Sequence, residues 1–425
     1  MSTPSVTRKE ILAWCLYDFA ASSFTTVIVT AFYVLYFKNV VFGGDGGVGD
    51  LWWGISIALS MVVVAFSSPI LGAIADFSGA KKRFLLGYTI LSVIFTGLLY
   101  FVGRGDLIPG VLFFVLANIG FEGALVFYNA FLPEIAGRHE MGKVSGWGWS
   151  LGYFGGICCL LLVIPFAAQL KEGEAGLEMA RLTFPIVALF FLLTSLPTFF
   201  ILKERAVPIP LPAKSSYFQE GFRRLVNTFQ QIRQYRELLK FLLAFWVYED
   251  AMITIITFTA SYADQTLHFT PAENLTLILL VNPAAALGAF VFGYIFDRVG
   301  AKKTISWTLI LWIIVVIAAY FVQTKSQFWV VALIAGLVLG STQSASRSLV
   351  GLFSPRHHNA EFFGFYAVSG KFSAIIGPLV FGVISSTTQS QRLAVLSIGV
   401  FFLLGLILLQ WVDEQKGLEA ATRRL

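Results

Sequence analysis

The sequence predicts an all-α integral membrane protein whose twelve transmembrane helices form two six-helix pseudo-repeats. Its composition is one reason, because 57% of the 425 residues are hydrophobic and only 13% are charged. Soluble domains carry roughly 25% charged residues, and a soluble chain this apolar could not cover its surface with polar groups. The other reasons are the regular recurrence of long apolar segments and a charged motif that is repeated about half a chain away.

Long apolar segments predict the individual helices and the domain division. A helix needs about 20 mostly apolar residues to cross the hydrocarbon core of a bilayer. Six such segments precede a polar stretch and six follow it, which predicts an N-terminal bundle at 1–202, a cytoplasmic linker at 203–237 and a C-terminal bundle at 238–425. The predicted spans are 11–41, 52–76, 83–102, 109–133, 143–169, 180–202, 238–264, 273–296, 303–322, 327–350, 361–386 and 391–412.

The distribution of basic residues predicts the orientation of the chain. Cytoplasmic segments of membrane proteins carry an excess of Lys and Arg. If both termini are cytoplasmic, most of the 30 Lys and Arg residues lie on that side, including Lys214, Arg356, Arg423 and Arg424. The net charge of +6 then needs no nucleic-acid partner. Lys371 falls inside a span, and the residues on the opposite side are Lys38, Arg104, Lys171, Arg181, Lys325 and Arg392.

The linker itself is basic, and its sequence is compatible with two structures. A solvated connection between the bundles satisfies the orientation rule without any further role. An amphipathic helix that lies on anionic lipid headgroups is the alternative.

A charged motif ends the second span and recurs after the eighth. Residues 72–83 read GAIADFSGAKKR, and residues 293–304 read GYIFDRVGAKKT. A carboxylate at a helix end can bind the positive N-terminus of a neighbouring helix or an Arg, so the motif predicts a contact that forms and breaks during a conformational cycle. The alternative is that its basic residues only orient the chain. The candidate gating residues are Asp76, Lys81, Lys82, Arg83, Glu134, Asp297, Lys302, Lys303, Arg347 and Glu361.

Polar side chains at helical spacing predict which spans line a cavity. Ionisable groups inside a membrane are costly and usually face a cavity or a partner. The first, fourth and seventh spans each carry such a stripe, and the eleventh adds a tyrosine and a lysine. For each acid the alternative is a structural ion pair. The candidate substrate-binding or proton-coupling residues are Asp18, Ser22, Asn118, Glu122, Asn129, Glu249, Asp250, Thr254, Tyr366 and Lys371.

Several motifs resemble one transporter family. The repeated Gly-x-x-x-Asp-x-x-Gly-x-Lys-Lys pattern resembles the loop signature of the major facilitator superfamily. YDFAASSFTTVI at 17–28, YNAFLPEIA at 128–136 and SGWGWSLGYFGG at 145–156 look like the vacuole-effluxer family of that superfamily, and similar motifs lie in the second half. The resemblance implies the major facilitator fold, alternating access by a rocker-switch motion, and a cavity lined by the first, fourth, seventh and tenth spans.

The best-known members of that family export amino acids from the fungal vacuole, so the resemblance implies export of amino acids or similar small zwitterions, with or without proton coupling. Asp18, Glu122, Glu249 or Asp250 would then bind an ammonium group, while Arg347 or Lys371 would bind a carboxylate. A transporter or flippase of lysolipids or other amphipathic solutes is the alternative. An enzyme is disfavoured, since the sequence has no metal-ligand spacing, nucleophile constellation or nucleotide loop.

The remaining expectations concern partners and location. We expect a monomer that needs no cofactor or metal, binds no nucleic acid, and has a small-molecule substrate and the lipid bilayer as its partners. The absence of large outer domains favours a bacterial inner membrane, with both termini cytoplasmic.

Overall fold

In the part of the protein that the structure describes, all regular structure is helical. The computed structural model describes residues 6–44, 46–171, 173–206, 208–209, 215–230, 232–355, 357–373 and 375–422. Within them, twelve helical segments are long and apolar enough to cross a membrane, which confirms the twelve predicted spans. Lys214, Arg356, Arg423 and Arg424, which contribute to the predicted cytoplasmic charge, lie outside the described residues.

The helices are labelled α1–α18 in chain order. The first half of the sequence contains α1 to α9, namely Arg8–Ser23, Tyr33–Tyr36, Gly46–Ser78, Lys81–Leu98, Leu107–Ala130, Leu132–Ile135, Met141–Ala167, Gly173–Arg181 and Thr183–Ile201. The rest contains α10 to α18, namely Tyr217–Gln230, Arg236–Leu267, Pro271–Val299, Ala301–Phe321, Lys325–Phe353, Asn359–Phe372, Ile376–Thr388, Gln391–Gln410 and Glu414–Thr422. The first span combines α1 and α2 with π-helical segments at Phe24–Ala31 and Phe37–Val41.

Short sequence signals set the start of several spans. Thr7, Thr270 and Thr324 each cap a helix with the side-chain oxygen, and the residue at the third helical position returns a hydrogen bond to the cap. These reciprocal contacts satisfy backbone N–H groups that a first helical turn leaves without partners. They fix where α1, α12 and α14 begin.

The eleventh span is broken, which the sequence analysis did not predict. Its first part, α15, ends at Phe372, and its second part, α16, begins at Ile376. Pro378 lies in the first turn of α16, where its missing N–H is tolerated, whereas in a continuous helix its ring would clash with the carbonyl four residues earlier. The new helix start leaves unpaired N–H groups in the middle of the span, so a partner inside the bundle must satisfy them.

The chain forms two compact units that divide it differently from the predicted bundles. The first unit contains residues 1–131 and 151–222, and the second contains 132–150 and 223–425. The first ten residues of α7 therefore pack with the second unit, although the rest of that helix belongs to the first. The boundary between the units falls between residues 222 and 223, which is inside α10 and inside the predicted linker.

Part of the predicted linker forms the helix α10, whose faces differ in exposure. In α10, Gly221 packs so closely against Ile74 of α3 that a Cβ atom would clash with it. Leu225 lies on the buried face, whereas Phe218 and Phe222 are exposed. Residues 217–230 are therefore not a fully solvated connection.

Glycines allow α12 and α14 to cross at close range in the second unit. A Cβ atom at Gly340 would overlap the carbonyl oxygen of Ala285, and one at Gly288 would overlap that of Leu337. Close approach of this kind is how transmembrane helices gain packing energy, because lipid offers little hydrophobic driving force.

Gly340→Ala should therefore lower the free energy of unfolding by about 1–3 kcal/mol, since the added methyl group forces the backbones apart. The apparent melting temperature of detergent-purified protein measures this. Gly382→Ala is the matched control, because Gly382 lies in α16 with open space where the Cβ would stand. Equal melting temperatures for the two variants would contradict the packing argument.

Candidate functional site

A polar cluster in the second unit includes three predicted site residues, Glu249, Tyr366 and Lys371. Tyr248, the residue before Glu249, also belongs to it. The hydroxyl of Tyr248 lies 2.7 Å from that of Ser346 in α14. Glu249, the next residue in α11, is half-buried and lies within electrostatic range of Lys371 in α15. Tyr366, on the turn before Lys371 in α15, also lies near Glu249. The cluster therefore brings an acid, a base and hydroxyl groups together inside the bundle.

Aromatic packing holds one side of this cluster in place. The ring of Tyr366 packs on Phe245, with centroids 4.5 Å apart, and Tyr248 meets the same phenylalanine edge-on at 5.5 Å. A rigid aromatic wall limits the positions that the neighbouring side chains can adopt.

One carboxylate oxygen of Glu249 lacks a protein partner. Within the described part of the chain, Oε2 of Glu249 is shielded from solvent and makes no hydrogen bond. An unsatisfied buried oxygen is costly, so it marks a place where a bound ligand or a proton would be stabilised.

Asp250 faces a different neighbour from Glu249. Its Oδ2 accepts a hydrogen bond of 2.8 Å from the backbone N–H of Gly377, at the start of α16. The carboxylate thus satisfies part of the helix start that the break in the eleventh span creates. Thr254, one turn later, is fully buried and donates its hydroxyl to the Asp250 carbonyl in its own helix. Of these two predicted site residues, Asp250 is the one that forms a hydrogen bond to the broken span.

In the first unit, the stripe on α1 lies against α7. Asp18 is buried, and Ser22 is half-buried one turn later. A Cβ atom on Gly152 would stand 2.9 Å from the Ser22 hydroxyl and 3.4 Å from the Asp18 Cβ. A glycine at this position of α7 allows the two polar residues to reach the helix crossing.

The stripe on α5 lies in a different place. The Asn118 amide donates a hydrogen bond of 2.6 Å to the hydroxyl of Ser60 in α3. Glu122 is buried one turn further on, and Asn129 is half-buried near the end of the helix. The two predicted stripes of the first unit thus serve different helix pairs.

The first copy of the charged motif joins the second, third and sixth spans. The Lys81 ammonium lies 3.6 Å from Asp76, and both side chains are 1% exposed. Glu204, just after α9, accepts hydrogen bonds of 3.0 and 2.9 Å from the backbone N–H groups of Lys81 and Lys82. The Lys82 ammonium donates to the carbonyl of Leu202, so it binds the end of the sixth span.

The second copy repeats this arrangement. Glu414, just after the twelfth span, accepts hydrogen bonds of 3.0 Å from the backbone N–H groups of Ala301 and Lys302. The Lys302 ammonium donates to the carbonyls of Gln410 and Val412, 2.8 Å away. Lys302 is thus the structural counterpart of Lys82, although the sequence alignment pairs it with Lys81. The shift arises because the loop before α4 is one residue longer than the loop before α13. Glu204 and Glu414 were not among the predicted site residues. The signal that could have identified them is their shared position just after the last span of each half.

The carboxylates of the two copies differ in their partners. Asp297 accepts hydrogen bonds of 2.8 and 2.9 Å from the backbone N–H groups of Gly142 and Lys143, at the start of α7. Asp76 instead lies next to a buried lysine. A carboxylate at a helix N-terminus interacts favourably with the partial positive charge there.

Arg347 joins the same segment of α7 to α14. It is 2% exposed, and its guanidinium donates to the Ser145 hydroxyl at 2.9 Å and to the Ser145 carbonyl at 2.7 Å. The guanidinium also lies over the ring of Trp149, 5.2 Å from its centroid. Ser145 and Trp149 were not among the predicted site residues.

The remaining candidates lie at the ends of helices. Glu361 is fully buried at the start of α15, 2.9 Å from His358 and 3.6 Å from Arg224 of α10. Glu134 is half-buried in α6, and Arg83 and Lys303 are exposed.

Glu204→Gln should lower the free energy of unfolding by about 1 kcal/mol, because glutamine offers one acceptor oxygen where two backbone N–H groups need partners. Thermal unfolding in detergent measures the loss. Glu178→Gln, on the exposed face of α8, is the matched control. A melting temperature no lower than that of the control would show that the capping contact contributes nothing.

Comparison with known sequences identifies relatives along nearly the whole chain. The family model described as vacuole effluxer Atg22 like matches residues 54–422. The uncharacterized MFS-type transporter YxiO of Bacillus subtilis is 32% identical, over 98% of this chain and 97% of its own length. Autophagy-related protein 22 of Saccharomyces cerevisiae is 23% identical, over 90% of this chain and 76% of its own length.

Comparison with solved structures confirms the fold. The human organic anion transporter MFSD10 matches with a TM-score of 0.76 and 14% identity, over 95% of this chain and 99% of that one. The E. coli fucose:proton symporter FucP matches with a TM-score of 0.71 and 13% identity, over 95% and 98%. The chain adopts the major facilitator fold, and it belongs to the Atg22-like vacuole effluxer family of membrane transporters.

Proposed function

We propose that the protein is a secondary transporter that exports amino acids or similar small zwitterionic solutes by rocker-switch alternating access. The observation that carries this proposal is the cluster around Glu249. It contains a carboxylate with an unsatisfied oxygen and a lysine within electrostatic range of it. A zwitterion presents the two complementary charges to such a pair.

In this proposal the acid and the base have separate roles. Glu249 binds the substrate ammonium group, which supplies the missing donor for Oε2. Lys371 binds the substrate carboxylate, and Tyr366 forms the aromatic wall beside it. Both contacts are charge-assisted, which makes them stronger than neutral hydrogen bonds.

The first unit would contribute further acids. Asp18 and Glu122 are buried in the bundle, where a carboxyl group is stabilised by a cation or by its own proton. We assign them to the ammonium group or to a coupling proton, and Asn129 to polar contacts with the solute. Asn118 and Thr254 would act indirectly, since each already makes a hydrogen bond that supports a neighbouring residue or helix.

The start of α7 would act as a gate. Asp297 and Arg347 hold residues 142–145 to α12 and α14 through backbone contacts. These contacts bind an element of the N-terminal half of the sequence to the C-terminal half, so alternating access requires that they break. In this proposal Asp76 and Lys81, in the first motif copy, have the gating role that Asp297 has in the second copy.

The same proposal includes location and assembly. We place the protein in a bacterial plasma membrane, with both termini and the linker on the cytoplasmic side, because Lys and Arg are concentrated there. We expect it to work as a monomer.

Glu249→Gln and Lys371→Gln should each weaken substrate binding by about 10- to 100-fold, because each removes a hydrogen bond to a charged group. A thermal-shift screen against amino acids, dipeptides, nucleosides and lysolipids finds the ligand first, since a ligand that binds the folded state raises its stability. Flux into liposomes then measures transport, with Glu178→Gln as the control.

The outcomes of this screen separate the two substrate classes. Stabilisation by amino acids that both variants lose supports the proposal. Stabilisation only by lysolipids supports the amphipathic-solute alternative and overturns the zwitterion assignment. Unchanged affinity in both variants would remove the cluster from the binding site.

Asp297→Asn should loosen the start of α7, because it removes the charge from a carboxylate at a helix N-terminus. We expect amide hydrogen exchange in residues 141–150 to accelerate by about tenfold and the transport rate to fall. Arg298→Gln, an exposed neighbour in α12, is the control. Faster exchange with an unchanged transport rate would show that this contact is not a gate.

A further inference from the structure

A basic cavity lies in the second unit where the seventh span begins. Its volume is about 440 Å³, and it is open to the surface. One wall is the start of α11 with the short 3₁₀ turn before it, and the other is the C-terminal helix α18. Its charged lining residues are Arg233, Arg236, Glu237, Lys240, Lys416 and Glu419.

The charges of this cavity are unevenly matched. Four of its side chains are cationic and two are acidic. Glu237 already accepts hydrogen bonds of 2.7 Å from the Lys240 ammonium and from the backbone N–H of Asp413. Lys416 pairs with Asp413 at 3.1 Å. Glu419, the second acid, accepts a hydrogen bond of 3.3 Å from the side-chain amide of Gln415. The ion pairs of the cavity therefore use the two lysines and leave the two arginines for a ligand.

Arg233 and Arg236 are the two cations left for a ligand. Both are exposed, and neither has a hydrogen bond or ion pair with any other described residue. Guanidinium groups bind phosphate oxygens through paired N–H donors, and they do so better than ammonium groups. The cavity therefore favours a phosphate-bearing anion.

The surroundings of the cavity are those of a membrane edge. Leu239 and Leu243, on the following turns of α11, are 39% and 48% exposed. Trp411, where α17 ends, is 63% exposed, and its carbonyl accepts a hydrogen bond of 3.0 Å from Lys240. Exposed apolar side chains on a span face acyl chains, and tryptophan concentrates at the headgroup level. A soluble anion would make no use of these apolar surfaces.

We propose that this cavity binds the phosphate headgroup of an anionic phospholipid. Arg233 and Arg236 contact the phosphate, and the acyl chains lie along the exposed leucines of α11. The bound headgroup joins Arg233 of the 3₁₀ turn to Arg236 of α11, so it stabilises the folded second unit. The site is distinct from the cluster around Glu249 and does not depend on which solute is transported.

The test compares lipids on purified full-length protein in detergent micelles. Phosphatidylglycerol should raise the melting temperature of the wild type, whereas phosphatidylcholine should not. The double variant Arg233→Gln/Arg236→Gln should bind phosphatidylglycerol roughly 30-fold more weakly, as measured by native mass spectrometry. Arg8→Gln/Lys9→Gln is the control, because it removes two exposed cations from α1, and it should bind as the wild type does.

Each further outcome decides the proposal. Equal binding by the glutamine variant and the control would overturn it. Equal stabilisation by inorganic phosphate would show a soluble-anion site and overturn the lipid assignment. If the glutamine variant fails to fold, Arg233→Lys/Arg236→Lys keeps both charges but loses the paired donors. It should bind more weakly than the wild type, and wild-type affinity would contradict the assigned phosphate contact.

Discussion

One interaction recurs at the points on which the helix arrangement depends: a carboxylate accepts hydrogen bonds from the first turn of another helix. Glu204 and Glu414 bind the starts of α4 and α13, Asp297 binds the start of α7, and Asp250 binds the start of α16. A first helical turn leaves N–H groups without partners, and for α16, which begins inside a span, the bilayer core offers no water to replace them. A carboxylate satisfies them and also interacts with the helix dipole. Each such contact fixes one helix end relative to another.

The sequence predicts the spans well because hydrophobicity and helix capping are local properties. It also predicts that the duplicated motif matters, since Asp297 and Lys302 stand at the same place in their repeat as Asp76 and Lys81. It does not predict the partners. Lys82 and Glu204 are about 120 residues apart, and nothing in the sequence near either residue specifies the other. The break in the eleventh span was missed for a related reason. Gly377-Pro378 is a local signal for the break. A helix start inside the span also needs a partner for its free N–H groups, and that partner is the carboxylate of Asp250, which is distant in the sequence.

Adjacent acids can differ completely in what they do, as α11 demonstrates. Successive residues on a helix project about 100° apart, so Glu249 and Asp250 face different neighbours. Asp250 binds a backbone N–H group, and a residue committed in this way cannot leave without exposing the helix start. Glu249 faces a lysine side chain, which can move. Periodicity placed Asp250 in the polar stripe of the seventh span, and Glu249 was a candidate beside it, but only the contacts show that Asp250 binds a helix start while Glu249 faces Lys371.

That difference bears on how a transporter could couple solute binding to movement. Glu249 and Lys371 interact without satisfying Oε2 of the glutamate. An ammonium group bound at Oε2 would compete with Lys371 for the Glu249 carboxylate. A proton on Glu249 would also weaken the attraction of Lys371, because it neutralises the negative charge of the carboxylate. In either case Lys371, at the end of α15, gains freedom to bind a carboxylate of the solute. Because α15 ends at the break in the eleventh span, while Asp250 anchors α16 separately, a movement of Lys371 need not displace α16. The broken span would thus allow a change at the binding cluster to move one half-helix and leave the other in place.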